Sequence, residues 1–318
     1  MRRALVLGVG IALAFPGTAS AHLRTSRAAV DYRATVSPSR APVHVRVYRA
    51  DLALGLTLLG RHRVVVLGYL GEPFLRLGPD GVFVNAASPT AAGAKLVPPH
   101  AGSSRPIWKL HSRRPSVIWH DARVRGLPPG QTNGRWRIPL VVDGQRTHLV
   151  GTIQRVAAPV LWPWLLLAAA FAVATGLVLY RRELSRVASA SLGALAAVGT
   201  VLTAFGFALA STASQGTWIE GANELFFALV GAVFLFRGSK DAKALAGGLL
   251  GLLGLAAGLS KIPVLLHGIV LSALPGGIAR LAVVVAIAAG AAAAALGLVV
   301  FFDVLEHYEE PEFPTAAV

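Results

Sequence analysis

The sequence predicts two fold classes in one chain: an immunoglobulin-like β-sandwich followed by an all-α transmembrane bundle of about five helices. Three observations predict this. Short stretches with period-two alternation, broken by turn residues, fill the N-terminal part. Long runs of Ala, Leu, Val and Gly follow Pro159. Charge divides at the same point: residues 22–158 hold 20 Lys/Arg against 6 Asp/Glu, whereas residues 159–318 are near neutral.

The first element is a leader. Met1-Arg2-Arg3 forms a positive start, Ala4 to Phe15 an apolar run too short to cross a bilayer, and Ala19-Ser20-Ala21 a small-residue cleavage site. Residues 1–21 therefore read as a signal peptide, with His22 as the mature N-terminus. A terminal His presents an α-amine and a ring nitrogen to one metal ion, a pairing that suits divalent copper.

Residues 22–158 read as the extracytoplasmic β-sandwich. Strands are expected at Tyr32–Val36, Val43–Tyr48, Ala53–Leu58, Val64–Tyr69, Pro73–Leu77, Ser116–Trp119, Arg135–Val142 and His148–Ile153. Turn signals lie at Gly78-Pro79-Asp80-Gly81, Pro128-Pro129-Gly130, Asn133-Gly134 and Asp143-Gly144, the last predicting a tight hairpin. Ala86 to Ser104, rich in small residues and Pro, reads as a long loop.

Leu67-Gly68-Tyr69, Gly71-Glu72-Pro73-Phe74-Leu75-Arg76, Pro79-Asp80-Gly81-Val82, Asn85, Ser88-Pro89 and Trp119-His120-Asp121 with Arg123 carry a resemblance. On them the chain resembles an uncharacterised actinobacterial membrane protein family with a secreted β domain followed by a multi-helix membrane domain. The resemblance implies architecture and assigns no activity. Members carry further histidines after the Trp-His-Asp step, where this chain has Ala122.

Within the domain, Glu72 and Arg76 are candidates for a recognition surface, and His22, His120 and Asp121 for a metal site. The competing expectation for Glu72, Arg76 and Asp121 is structural, since buried charges pair or cap loop amides. His120 and Asp121 are sequence neighbours, so on a strand they face opposite ways.

Residues 159–305 read as the membrane domain and 306–318 as an acidic cytoplasmic tail. Spans are expected at Val160–Tyr180, Ala188–Ala210, Trp218–Phe236, Ala244–Leu259 and Ile278–Phe302. Ile262–Leu274, short and holding Pro263 and His267, suits a re-entrant or interfacial segment better than a crossing. Arg181, Arg182 and Arg186, then Arg237, Lys240 and Lys243, fall inside if the β domain is exported, as the positive-inside rule requires. Gly247/Gly251 and Gly254/Gly258 have the spacing of close helix contacts. Glu220, Glu224, Lys261 and His267 form a candidate polar cluster at membrane depth, where charge is costly and paired or functional.

The absence of Cys excludes disulfides, a lipoprotein anchor and thiol chemistry. No Gly-x-Ser-x-Gly, His-Glu-x-x-His or phosphate loop is present, so an enzyme is not expected. A basic domain behind an export signal argues against nucleic acid and for anionic lipids or cell-wall phosphates. Three readings stay open. The first is a non-enzymatic envelope protein with a binding or assembly role, whose β domain binds an envelope partner while the helices anchor it or bind a second membrane protein. The second is extracytoplasmic copper handling, by analogy with copper-resistance proteins that join a secreted β domain to helices. Against it, Met1 is the one methionine. The third is a small transporter or channel using Glu224 and His267.

Overall fold

Apolar residues at alternate positions turn one face of each short strand inward, and the chain from Ala29 to Arg155 forms antiparallel sheets on that pattern. The computed structural model describes residues 28–98, 105–210 and 215–309. The expected leader, His22 and the end of the acidic tail lie outside the described residues.

The strands are β1 (Ala29–Val30), β2 (Tyr32–Val36), β3 (Val43–Tyr48), β4 (Ala53–Leu58), β5 (Val64–Leu67), β6 (Pro73–Gly78) and β7 (Gly81–Asn85). A short helix α1 (Pro89–Gly93) precedes β8 (Trp108–Ser112), β9 (Ser116–Trp119), β10 (Asn133–Val142) and β11 (Gln145–Arg155). One sheet runs β2-β11-β10-β5-β6-β7-β8 and a second runs β3-β4-β9. Both contribute to one core: Leu54, Leu56 and Trp119 from the small sheet meet Phe74, Ile138, Leu140 and Leu149 from the large one.

Asp143 (φ 47°) and Gly144 (φ 89°) make the expected hairpin, with the paired positive φ values that match strand twist. Two strands of the large sheet were not expected. Gly81–Asn85 follows the Gly-Pro-Asp-Gly turn directly, and Trp108–Ser112 pairs with it from beyond the expected loop. That loop also contains α1, whose first turn is closed by Ser88 accepting from the Ala91 amide. Asn133-Gly134, expected as a turn, opens β10.

Among the described residues five helices are long and apolar enough to cross a membrane. They are α2 (Trp162–Tyr180), α3 (Ser185–Ala208), α4 (Gln215–Arg237), α5 (Lys240–Leu259) and, after the four-residue helix α6 (Pro263–Leu266), α7 (Gly276–Glu309). Helices α3, α5 and α7 form the packed centre, with α4 beside α3 and α5 and with α2 beside α7. Glycine makes this possible. A Cβ at Gly193 would run into the Gly247 backbone, one at Gly248 into Gly297, and one at Gly251 into Gly290. At the opposite end from the β sheets, Arg186 joins all three central helices by reaching Asp241 and Asp303, each at 2.6 Å.

The segment expected to be re-entrant or interfacial is helical only over its first residues. After α6 it forms a two-residue strand, β12 (Ile269–Val270), which pairs with β1. Leu271 N–H donates to the Ala28 carbonyl at 2.9 Å, and Gly268 N–H to Asp31 Oδ1 at 3.3 Å. Ala28 and Ala29 are buried with Phe207, Val264 and Val283 of the helical region. The sheets are thus held to the helices at two places: the chain crossing from β11 to α2, and this strand pair.

Candidate functional site

Tyr69, Glu72, Asn85, Ser88, Asp121 and Arg123 lie in and around the loops that flank β5, β6 and β9. Asp121 is buried. Its Oδ1 accepts from Arg123 N and Nε at 3.0 and 2.9 Å, and its Oδ2 from Trp119 Nε1 and Arg123 Nη2 at 3.0 and 2.7 Å. The same guanidinium donates to the Leu67 carbonyl at 3.0 Å and stacks 4.9 Å from the Tyr69 ring. The Tyr69 hydroxyl accepts from Ala122 N–H at 2.7 Å. Asn85 ties Pro73 O to the amides of Ala87 and Ile107.

Glu72 organises the neighbouring loop. Its Oε1 accepts from Ser88 Oγ and Thr90 Oγ1, both at 2.7 Å, and its Oε2 from Leu70 N–H at 3.0 Å. A side chain at Gly68 would collide with this carboxylate, which explains the glycine. Burial pushes the Glu72 carboxyl up, but the bonds from Thr90, Ser88 and the backbone outweigh it and hold it below the ordinary value. Arg76 is also committed, lying 4.4 Å from the Phe83 ring centre and 5.1 Å from that of Trp108. Glu72, Tyr69, Asp121 and Arg123 are thus each held by partners within the domain.

His120 and Asp121 turn to different partners just beyond the end of β9 rather than on the strand itself. His120 Nδ1 donates to the Leu52 carbonyl at 2.6 Å while Asp121 turns to Arg123. Among the described residues no group of three or more His, Cys, Asp or Glu could hold a metal ion. His22 lies outside the described residues.

A second feature is electrostatic. The outward side of the large sheet carries Arg33 on β2, with Arg135 and Arg137 on β10, all exposed. Arg33 stands opposite Gln154 and Arg135 opposite Thr152 on the intervening β11, with Thr35 bonded to Thr152 at 2.8 Å. The six carboxylates of this region lie elsewhere. Asp121 and Glu72 serve the network above, Asp143 faces His62, and Asp31 faces His267. Asp80 is in the β6–β7 turn, and Asp51 is buried beside the junction.

The third feature is the cluster expected at membrane depth. Lys261 Nζ reaches Glu224 Oε1 at 2.6 Å, Glu220 Oε1 at 3.3 Å and the Ala257 carbonyl at 3.3 Å. Helical spacing places both acids on one face of α4, and the end of α5 delivers the lysine to it. The Lys261 and Glu224 side chains are 6% and 9% exposed, against 43% for Glu220. His267, expected in this group, stands instead with its Nδ1 3.0 Å from Asp31 Oδ2. That is an ionic approach without hydrogen-bond alignment.

This contact borders a cleft of about 480 Å³ between sheet and helices, lined by Asp31, Tyr32, Asp51, Arg125 and His267 among others. Three groups that matter here were not singled out from sequence. Asp31 lacks any pattern that marks it. Arg186 with Asp303 and Arg280 were legible as charges inside apolar helices, the signal that did identify Glu224. Arg280 donates to the carbonyls of Val264, His267 and Gly268 and so fixes the segment between α6 and β12.

Compared with protein-family models, curated proteins and solved structures, the chain finds no match in any of the three.

Proposed function

We propose that this chain is a non-enzymatic integral membrane protein of the bacterial cell envelope whose exported β domain binds an anionic envelope component. The fold we assign to that domain is an immunoglobulin-like sandwich, supported by two antiparallel sheets sharing one core. In this reading residues 1–21 are a cleaved signal and the C-terminus is cytoplasmic. The arginines at the ends of α2 and α4 support that orientation. The resemblance to the uncharacterised membrane family fits the same architecture.

The observation that carries the proposal is the outward side of the large sheet. Arg33, Arg135 and Arg137 project from it, the other polar groups around them are neutral, and every carboxylate of the domain is placed elsewhere. Unopposed arginines on a flat polar surface suit phosphate, either of lipid head groups or of an envelope polymer. The strand pair β1–β12 keeps that surface at a fixed orientation to the helices.

The test uses the full chain in nanodiscs of neutral lipid and soluble polyphosphate as the probe. Binding is expected and should weaken as salt rises. At about 1 kcal/mol per arginine, the triple variant Arg33→Gln, Arg135→Gln, Arg137→Gln should bind on the order of a hundredfold more weakly. No binding by the natural protein, or equal binding by the variant, overturns the proposal.

A further inference from the structure

The Glu220–Lys261–Glu224 cluster does not balance. Two carboxylates approach one ammonium, so with all three groups ionised the cluster carries one unit of negative charge at the edge of the hydrocarbon. Uncompensated charge in such a place is strongly unfavourable.

A second observation is independent of the count. Glu224 is a nine-tenths buried side chain, and its Oε2 is buried with no hydrogen-bond partner among the described residues. Lys261 offers no remedy, because its three N–H bonds already point at Glu224 Oε1, Glu220 Oε1 and Ala257 O.

Among the described residues no other charged group supplies the missing positive charge. Helix α3 packs on this face of α4 through Ala204 and Ala208 against Gly221, and its one charged residue, Arg186, is at the far end with Asp241 and Asp303. On α7, Arg280 is spent on the carbonyls of Val264, His267 and Gly268. His267 turns to Asp31.

We infer that Glu224, held beside Lys261 and Glu220, is a binding site for one proton, taken up at neutral pH on the buried Oε2 that has no partner among the described residues. The proton arrives from water at the half-exposed Glu220 and binds a carboxylate oxygen, leaving the site neutral. Departure by the same route restores the unit of negative charge, and no other bond changes. Lys261 Nζ, which reaches Glu224 Oε1 and Glu220 Oε1, anchors the site. This goes beyond the binding role proposed for the β domain and stands whether or not that role holds.

The test counts protonated carboxyl groups by infrared spectroscopy of the full chain in nanodiscs at pH 7, where exposed carboxylates are ionised. The natural protein should show one per chain. Glu224→Gln should show none, and so should Glu220→Gln, since either change leaves one carboxylate against one ammonium. Lys261→Met should show two. A natural protein with none overturns the inference without recourse to any variant. So does a signal that survives in both glutamine variants.

Discussion

Glu72 shows how one carboxyl can order a loop. It accepts four hydrogen bonds, from the amides of Leu70 and Thr90 and the hydroxyls of Ser88 and Thr90. Each is charge-assisted, so losing the charge should cost about 1–3 kcal/mol. The sign of its pH dependence follows from its depressed folded value. The stabilisation is complete above the ordinary Glu value of about 4.3 and disappears as pH falls through the folded one. Thermal unfolding of the natural protein should therefore move to lower temperature below about pH 4.3. Glu72→Gln should be less stable at neutral pH and should lose part of that acid dependence. Identical acid profiles would show that the carboxylate does not stabilise the loop. Asp121 acts similarly at the other side of the network. Its partner Arg123 is held by Leu67 O and Tyr69 as well, so the interaction reaches across three segments of chain.

At the scale of elements, the β1–β12 pair is the least expected feature and the most exposed to a single change. Two-residue strands gain little from their own hydrogen bonds. This pair persists because Ala28 and Ala29 pack on Val264 and Val283, and because Gly268 lies against the carbonyls of Val156 and Ala157. A Cβ at position 268 would stand 2.6 and 2.7 Å from those oxygens. Gly268→Val should force the segment away from the sheet. Hydrogen exchange at the Leu271 amide, which donates to Ala28 O, should speed up at least tenfold, or about 1.4 kcal/mol of local opening. Exchange within α3, α5 and α7 should stay unchanged. Unaltered exchange at Leu271 would mean that the pair is not held by this contact.

For the whole molecule, the charge distribution and the helix order support the direction across the membrane that we propose. A chain without cysteine permits a direct test, since each introduced thiol is the only one. Arg113→Cys, on an exposed turn of the β region, should react with a membrane-impermeant reagent on intact cells. Arg182→Cys, between α2 and α3, should react only after permeabilisation. The reverse pattern would invert the assigned orientation.

Sequence alone determined what local chemistry can determine. Period-two alternation located β2, β3, β4 and β9 to the residue, and apolar length located all five long helices, because those signals are properties of contiguous residues. It also picked Glu220, Glu224 and Lys261, since an ionisable residue in an apolar run is conspicuous wherever its partner lies. Strand β8 was not read from sequence: Trp108 and Leu110 alternate with Lys109 and His111 over only five residues, none of them is buried, and pairing with β7 makes it a strand. Likewise, Ile269–Val270 becomes a strand only because β1, some 240 residues earlier, is brought beside it. The tertiary structure also decided the roles of Glu72, Arg76 and Asp121, whose partners come from separate segments. And it separated His267 from the membrane cluster, leaving two carboxylates on one lysine and an imbalance that no reading of one segment could reveal.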